Sequence, residues 1–375
     1  MVRAIAGLAL SALLFLFAGL ANGQEALAPR AGAQEKARQL VDGHVANKDL
    51  MGIAAGSSVQ GKTAWAYAAG FADEDAARAF EVGTLTRIAS VAKPMTAIAV
   101  MQLVEQGKVD LDAPIQTYLP EFPVKAEGTI TVRQLLQHTS GTGAYLTTKE
   151  RENTTYYPTL SDALGIFQDR KSIAAPGTAF NYTTYGYVVL GAMIEAVSGM
   201  TYPQYMQANI WGPAGMLNTG IEVLAKRSPR NATLYHANGK GKLTRSTPTD
   251  LSDRIPGGGL ASDLADMLRF GEAVLNGTLI KPATLELMLK DPGVKAEGNG
   301  YGLGWYLYGA DPVHGPTYGH NGAQTGCSAF LMLRPQDSTV VVVLSNTSGA
   351  MPAVTDITIK LFDIAAEVAA EGTAK

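Results

Sequence analysis

Ser90 and Lys93 form the only Ser-x-x-Lys sequence of the chain. The polar segment before Ser90 is predicted to be extended, and residues 95–106 predict a helix that ends at Gly107. A spacing of three then places both side chains on one helical face. A serine hydroxyl needs an adjacent base, and burial lowers the pKa of a lysine enough for it to serve as one. The pattern therefore predicts a nucleophile beside its base.

Two further segments contain side chains that can move a proton or bind a substrate. Tyr182 stands where a loop is predicted to enter a helix over residues 188–197, and a phenol there could relay a proton. His320 lies in the glycine-bounded segment 319–326, near the start of the first strand of a predicted hairpin. The glycines beside it would let a substrate approach the backbone closely.

Segments from both ends of the chain are predicted to build the framework for these groups. Together they predict one antiparallel sheet flanked by helices, whereas the middle of the chain is richer in helix and loop. The predicted elements are an opening helix over 32–47, a hairpin of strands 52–59 and 63–70, strands near 301–308, 326–333 and 339–344, and a closing helix over 355–370.

The order of these motifs resembles the serine beta-lactamase and penicillin-binding-protein superfamily. The resemblance also rests on His138-Thr139-Ser140-Gly141 and Gly257-Gly258-Gly259-Leu260, and it extends from about Leu50 to about Asp363. Within it, the chain looks like the class C-like branch that contains esterases, D-amino-acid peptidases, carboxypeptidases and the mitochondrial serine beta-lactamase-like protein. Two motifs, Pro120-Glu121-Phe122-Pro123 and Tyr182-Thr183-Thr184, resemble the last of these.

The resemblance implies an α+β fold, in which an antiparallel sheet flanked by helices (beta-lactamase/transpeptidase-like) carries an inserted, mostly helical lobe. The sheet lobe is expected over about 24–110 and 289–375, and the helical lobe over about 111–288. The cleft between the lobes would hold the reactive groups.

The same resemblance implies a role for each site residue. Ser90 corresponds to the acylated nucleophile, Lys93 to its proton acceptor and Tyr182 to the acid/base of the leaving group. His320 stands at a catalytic position where many relatives carry a lysine. The backbone N–H groups of Ser90 and Ala323 would stabilise the oxyanion. The substrate would be bound by Thr184, Asn321 and Gly322.

Two departures from the beta-lactamase pattern bear on the substrate. Thr184 replaces an asparagine and offers one donor instead of two. His320-Asn321-Gly322 replaces Lys-Thr-Gly, and a histidine with an ordinary pKa near 6.5 is largely neutral at pH 7. The charge that would hold a substrate carboxylate is thereby weakened, and it would return as the pH falls towards 6. Both changes argue against an efficient beta-lactamase.

Three functions remain open from the sequence. The preferred one is an exported serine hydrolase that acts through an acyl-enzyme on an ester or amide, including peptide-like substrates. The second is a beta-lactamase or DD-peptidase that acts on cell-wall peptides. The third is a protein without turnover that binds peptidoglycan or forms polymers. The expected partner is a small ester, amide or peptide, with the cell wall as one source.

Composition and charge indicate an ordered enzyme. Apolar residues make up 46% of the chain and charged residues 17%, which is typical of a large folded core. The formal net charge is −3, so no basic footprint for nucleic acid is expected.

No cofactor or metal is expected, because His44, His138, His236 and His314 lack metal-ligand spacing. Cys327, the single cysteine, is expected to be a packed, inert thiol.

The N-terminus predicts export. Arg3 precedes an apolar run over residues 4–20, and Ala21-Asn22-Gly23 supplies the small residues of a cleavage site. Residues 1–23 are therefore predicted to be a signal peptide, and the mature protein is expected to be periplasmic or secreted with no membrane span. An uncleaved anchor is the alternative.

Overall fold

The computed structural model describes residues 31–293, 295–296, 298–311 and 315–373. The predicted signal peptide lies outside the described residues. Within the described part of the chain, no helix has both the length and the apolar character needed to cross a membrane.

The helices are α1 Ala31–Ala46, α2 Ala92–Glu105, α3 Val132–Leu136, α4 Thr148–Arg151, α5 Leu160–Leu164, α6 Tyr185–Ser198, α7 Tyr202–Met206, α8 Ile255–Gly258, α9 Leu264–Leu275, α10 Pro282–Met288 and α11 Met351–Thr373. The strands are β1 Gly52–Val59, β2 Lys62–Asp73, β3 Arg78–Ala79, β4 Thr86–Arg87, β5 Gly220–Ile221, β6 Tyr235–Ala237, β7 Leu243–Arg245, β8 Leu260–Ser262, β9 Lys295–Ala296, β10 Asn299–Tyr301, β11 Tyr306–Asp311, β12 Gly315–Gln324, β13 Cys327–Arg334, β14 Thr339–Ser345 and β15 Thr347–Ser348.

An antiparallel sheet forms the framework, with the strand order β3-β2-β1-β14-β13-β12-β11-β10-β9 among the described residues. β1 pairs with β14 along its length, from Ile53 opposite Ser345 to Val59 opposite Thr339. This pairing joins the first hairpin to the C-terminal strands, as the sequence predicts. The α+β fold class is confirmed.

Both faces of the sheet are covered by helices, and β14 contributes alternate side chains to each face. Val341 and Val343 pack in the cluster that includes residues of α1 and α11. Val340 and Val342 face the larger cluster on the other side, which includes α2, α6 and α9. A run of β-branched residues suits a strand that is buried on both faces.

Helix α2 lies at the centre of the larger cluster and is buried on every side from Ala92 to Met101. It packs against α6 and α8. A helix that is apolar all round belongs in a core, so the one ionisable side chain in this stretch, Lys93, stands out. Burial of an amine is unfavourable unless the site is polar or the amine is neutral.

The middle segment, 111–288, contains most of the short helices together with β5 to β8. One of its strands, β8, pairs with β4 from the segment before Ser90, with Thr86 opposite Ser262 and Arg87 opposite Ala261. This contact brings the sequence around Gly257 next to the start of α2.

Two details of the sheet differ from the sequence prediction. The expected strand near 301–308 is two strands, β10 and β11, because Gly304 turns the chain with a φ of +89°. A β-carbon at Gly304 would lie 2.4 Å from the Cβ atom of Ala97 in α2, so only glycine fits this turn. His320 lies within its own strand, β12, which pairs with β13, and not at the start of the strand that pairs with β14.

Candidate active site

Ser90 lies in a tight turn of 3₁₀ helix, Ala89–Val91, that leads directly into α2. Ala89 has a φ of +47°, a left-handed conformation that costs an L-residue about 1–2 kcal/mol. The turn is held by the amide of Ile88, which donates to the carbonyl of Leu260 at 3.1 Å. The strained residue before Ser90 thus bends the chain so that the serine side chain stands at the entrance of the helix and not along its side.

Lys93 is fully buried and has three polar partners. Its Nζ atom lies 3.1 Å from Ser90 Oγ, 3.3 Å from Thr184 Oγ1 and 2.7 Å from the carbonyl oxygen of Gly257. Burial lowers the pKa of Lys93 well below its usual value, and the charge of Arg254 lowers it further. A neutral amine has two N–H donors, which fit Gly257 and Thr184. Its lone pair then faces the hydroxyl of Ser90.

Tyr182 precedes α6, in a loop that passes over Lys93. The Lys93 Nζ atom lies 4.9 Å from the centre of the Tyr182 ring. Burial raises the pKa of Tyr182 well above 10, and the neighbouring Tyr306 raises it further, while a hydrogen bond with Ser90 opposes the shift. The phenol is therefore protonated at neutral pH. It can donate a proton, which is what a departing alkoxide or amine requires.

Thr184 occupies the N-cap position of α6, and its hydroxyl is engaged with Lys93. It is also a hydrogen-bond partner of Tyr145, whose pKa is raised by burial. A substrate would therefore compete with Lys93 and Tyr145 for the Thr184 hydroxyl, because the same hydroxyl orients the lysine.

His320 is fully buried, and both of its ring nitrogens have partners. Its Nδ1 atom lies 2.6 Å from the carbonyl oxygen of Asn321, which only accepts, so Nδ1 carries the proton. Its Nε2 atom then accepts from the Tyr301 hydroxyl at 3.0 Å. Burial lowers the pKa of His320 to about 3, with a further contribution from Lys93. The expectation that His320 gains charge near pH 6 is therefore wrong, because desolvation keeps the imidazole neutral.

The backbone of β12 lies directly against the Ser90 turn. A β-carbon at Gly322 would lie 2.5 Å from the carbonyl oxygen of Ile88 and 3.0 Å from the amide nitrogen of Ser90. Glycine at this position therefore lets the strand approach the serine. The next residue, Ala323, is exposed, and the close approach at Gly322 brings the backbone segments of the two expected oxyanion donors next to each other.

Several residues that support the site were not predicted from the sequence as part of it. Tyr301 holds His320, and Tyr145 reaches Thr184. Arg254 lies over the Tyr145 ring at 4.6 Å and pairs with Asp253 at 2.7 Å. They lie on three separate segments, namely a strand, a loop and the 3₁₀ helix Ser252–Arg254, so spacing in the sequence carries no signal for them. The glycine run at 257–259 does carry one, and its first carbonyl is the acceptor for Lys93.

Residues outside the site have structural partners. Cys327 is buried, and its Sγ atom donates to the carbonyl of Arg87 at 2.9 Å. Burial raises the pKa of this thiol, which disfavours the reactive thiolate. No cluster of metal-ligating side chains occurs among the described residues, and His314 lies outside them.

Comparison with known proteins identifies relatives along nearly the whole chain. Residues 37–366 match the family described as Beta-lactamase. The chain is 31% identical over 320 residues to Esterase EstB of Burkholderia gladioli, covering 73% of this chain and 79% of the esterase. It is 28% identical over 379 residues to the mitochondrial serine beta-lactamase-like protein LACTB of Homo sapiens, covering 76% of this chain and 69% of that protein. The superfamily resemblance seen in the sequence is confirmed.

Solved structures share the fold. D-amino acid amidase from Ochrobactrum anthropi SV3, complexed with L-phenylalanine, superposes with a TM-score of 0.78 and covers 92% of this chain and 100% of the amidase. The two sequences are 23% identical, so the likeness concerns the fold.

Proposed function

This chain belongs to the beta-lactamase family, and we propose that within it the protein is an exported serine hydrolase that cleaves an ester or amide through an acyl-enzyme. The observation that carries the proposal is the arrangement around Lys93. An amine that is fully buried, has a lowered pKa and lies 3.1 Å from a serine hydroxyl suits the role of a base.

In the proposed acylation, Ser90 Oγ attacks the carbonyl carbon of the substrate while its proton passes to the neutral Nζ atom of Lys93. The carbonyl oxygen gains negative charge, which the amides of Ser90 and Ala323 would stabilise. The bond to the leaving group then breaks as the Tyr182 phenol gives up its proton to it. Lys93 returns its proton to the phenolate, so both groups regain their starting state.

In the proposed deacylation, a water molecule attacks the acyl carbon. Its proton passes by way of the Tyr182 phenol to Lys93. The ester bond to Ser90 Oγ breaks as Lys93 passes this proton to the serine, so both groups regain their starting state. The product acid departs. Only water is consumed in the second half of the cycle, so each turnover hydrolyses one ester or amide bond.

The charges around Ser90 favour substrates without a carboxylate next to the scissile bond. Among the described residues around Ser90, Lys93 has a lowered pKa and His320 is neutral. Arg254 is buried against Asp253. An anion entering the site would lose its hydration without gaining a free cation. This supports a neutral ester or amide over the second candidate, a beta-lactam or a peptide with a free carboxylate.

The proposed location is the periplasm or the medium, on the strength of the Arg3, apolar-run and Ala21-Asn22-Gly23 pattern. The name of EstB includes an esterase activity, which agrees with the proposed reaction class.

A matched pair of substrates tests the proposal. The propionate and the hemisuccinate of p-nitrophenol share a leaving group but differ by one carboxylate on the acyl chain. We expect kcat/KM for the propionate to exceed that for the hemisuccinate about tenfold or more, and cephalosporin turnover to be weak. Ser90→Ala should abolish turnover of both esters. Ser161→Ala, on the surface of α5, is the control for this variant and should leave turnover unchanged. Equal rates for both esters would contradict the charge argument, and no turnover of any ester or amide would contradict the hydrolase itself.

A further inference from the structure

His138 has hydrogen bonds to the backbone on both sides of Tyr182. Its carbonyl oxygen accepts from the amide of Asn181 at 2.7 Å, and its ring Nδ1 atom accepts from the amide of Thr183 at 3.3 Å. The two residues that flank the tyrosine are therefore fixed to one residue of another loop. An amide can only donate, so Nδ1 is the unprotonated nitrogen of this ring.

The ring of His138 also packs against the tyrosine itself. Its centre lies 4.3 Å from that of Tyr182, 4.8 Å from that of Tyr301 and 5.2 Å from that of Tyr187. His138 is fully buried. A side chain this close on one face of the Tyr182 ring restricts its rotation and limits where the phenol oxygen can point.

The backbone of His138 is in a conformation that favours glycine. Its φ is +59°, a left-handed conformation that is unfavourable for a residue with a β-carbon, yet the position holds a large ring. Residues held in sparsely populated backbone regions persist where the surrounding structure compensates, and they cluster at functional sites. Here the carbonyl, the ring nitrogen and the ring face all contact the Tyr182 segment.

His138 is not suited to proton transfer. Burial lowers its pKa well below the usual value. Its Nε2 atom has no hydrogen-bond partner among the described residues. A contribution of His138 to the reaction must therefore pass through the groups that it holds.

We propose that His138 is a positioning residue that aims the Tyr182 phenol at the leaving group above Ser90. The inference rests on the proposed function, because it assigns the proton donated to the leaving group to Tyr182. His138 fixes the peptide through Nδ1 and the phenol through its ring face. Loss of either contact lets the phenol oxygen move, and a displacement of about 1 Å can lower a rate about a hundredfold.

The test uses one acyl group with two leaving groups, p-nitrophenyl butyrate and ethyl butyrate. The nitrophenolate departs readily without a proton, whereas ethoxide needs one. We expect His138→Phe, which keeps a ring but lacks the acceptor for Thr183, to lower kcat/KM for ethyl butyrate about tenfold to a hundredfold. The nitrophenyl ester should lose about threefold or less. The exposed His236 provides the control variant, His236→Asn.

A double-mutant cycle separates this role from a general loss of structure. In a Tyr182→Phe background, His138→Phe should leave kcat/KM for both esters within about twofold of that of the single Tyr182→Phe variant, because coupled residues show non-additive effects. His138→Asn, whose Oδ1 atom superposes on Nδ1 and which tolerates a positive φ, should recover part of the ethyl ester rate. It also replaces His138→Phe in the cycle if the phenylalanine variant does not fold.

The outcomes distinguish the inference from the function on which it rests. Equal losses for the two esters in His138→Phe, or a further full loss in the Tyr182→Phe background, would overturn the positioning role. An unchanged ratio of the two ester rates in Tyr182→Phe alone would instead overturn the proton-donor role of Tyr182.

Discussion

The carbonyl oxygen of Gly257 accepts a 2.7 Å hydrogen bond from the Nζ atom of Lys93. This contact is the shortest of the three that Lys93 makes, and it comes from a backbone group that cannot donate. It fixes one N–H of the amine away from Ser90. The remaining geometry leaves the lone pair of a neutral amine facing the serine hydroxyl, so a main-chain oxygen sets the direction in which the proposed base acts.

Replacing Lys93 tests whether it acts as a base. Lys93→Arg places a permanent cation at this position but cannot accept a proton, because guanidinium stays charged, and Lys93→Met keeps the length without the amine. We expect both variants to lose about a hundredfold to ten-thousandfold in the rate of acylation, measured by the burst of p-nitrophenol from an activated ester. An arginine variant with nearly normal acylation would indicate that only the positive charge matters.

A methyl group at position 322 should separate the two backbone segments at the oxyanion site. In Gly322→Ala the new β-carbon would lie 2.5 Å from the Ile88 carbonyl oxygen, so β12 must shift away from Ser90. We expect kcat to fall about a hundredfold, as for loss of an oxyanion donor. The control is Gly220→Ala, where a β-carbon meets no atom within 4 Å. Similar losses in both variants would show that the effect is not local.

Removal of the Tyr182 hydroxyl should affect poor leaving groups most. The pKa of Tyr182 is raised well above 10, so its proton is present throughout the neutral range and is lost in Tyr182→Phe. Anilide hydrolysis should fall about a hundredfold or more, and nitrophenyl ester hydrolysis much less. The dependence of kcat/KM on the leaving-group pKa measures this difference. An equal reduction for anilides and nitrophenyl esters would contradict the assignment.

Acidification should destabilise the fold through His320. Its pKa is about 3 in the folded protein against an ordinary 6.5, so below pH 6.5 the unfolded chain takes up a proton that the folded chain does not. The contribution of neutral His320 is therefore fully present above pH 6.5 and is lost as the pH falls towards 3.

His320→Gln should remove this dependence while keeping a polar side chain. Between pH 7.5 and pH 4.5, the free energy of unfolding in urea should fall by about 3 kcal/mol more for the unaltered protein than for the variant. His236→Asn serves as the control at an exposed position. The same loss for unaltered protein and His320→Gln would mean that His320 is not the group that resists protonation.

The framework could be predicted from the sequence where local patterns determine it. The first hairpin turns at Gln60 and Gly61, which have φ values of +52° and +74°, as expected for a two-residue turn with glycine at its second position. The break within the strand predicted near 301–308 could not be predicted, because glycine is required at position 304 by its close contact with Ala97 on a distant helix. Such contacts exist only after the chain has folded.

The same limit applies to the site. Ser90 and Lys93 are three residues apart, so their proximity could be predicted from helical spacing, although Ser90 lies in the 3₁₀ turn before α2. The protonation of His320 depends on burial and on Tyr301, which no local pattern reveals. From the sequence alone, an ordinary pKa was therefore expected for His320. His138 belongs to a motif on which the family resemblance rests, but the sequence assigned it no role in catalysis. Its contacts show that it holds the loop that carries Tyr182.

The central claim is that Ser90 forms the covalent intermediate. The most direct measurement is intact-mass and peptide analysis of the protein after reaction with a fluorophosphonate. We predict one adduct, on Ser90, whose formation slows in the Lys93 variants and is absent, together with turnover, in Ser90→Ala, while Ser161→Ala behaves as the unaltered protein does. An adduct on another serine, or undiminished hydrolysis by Ser90→Ala, would contradict the account.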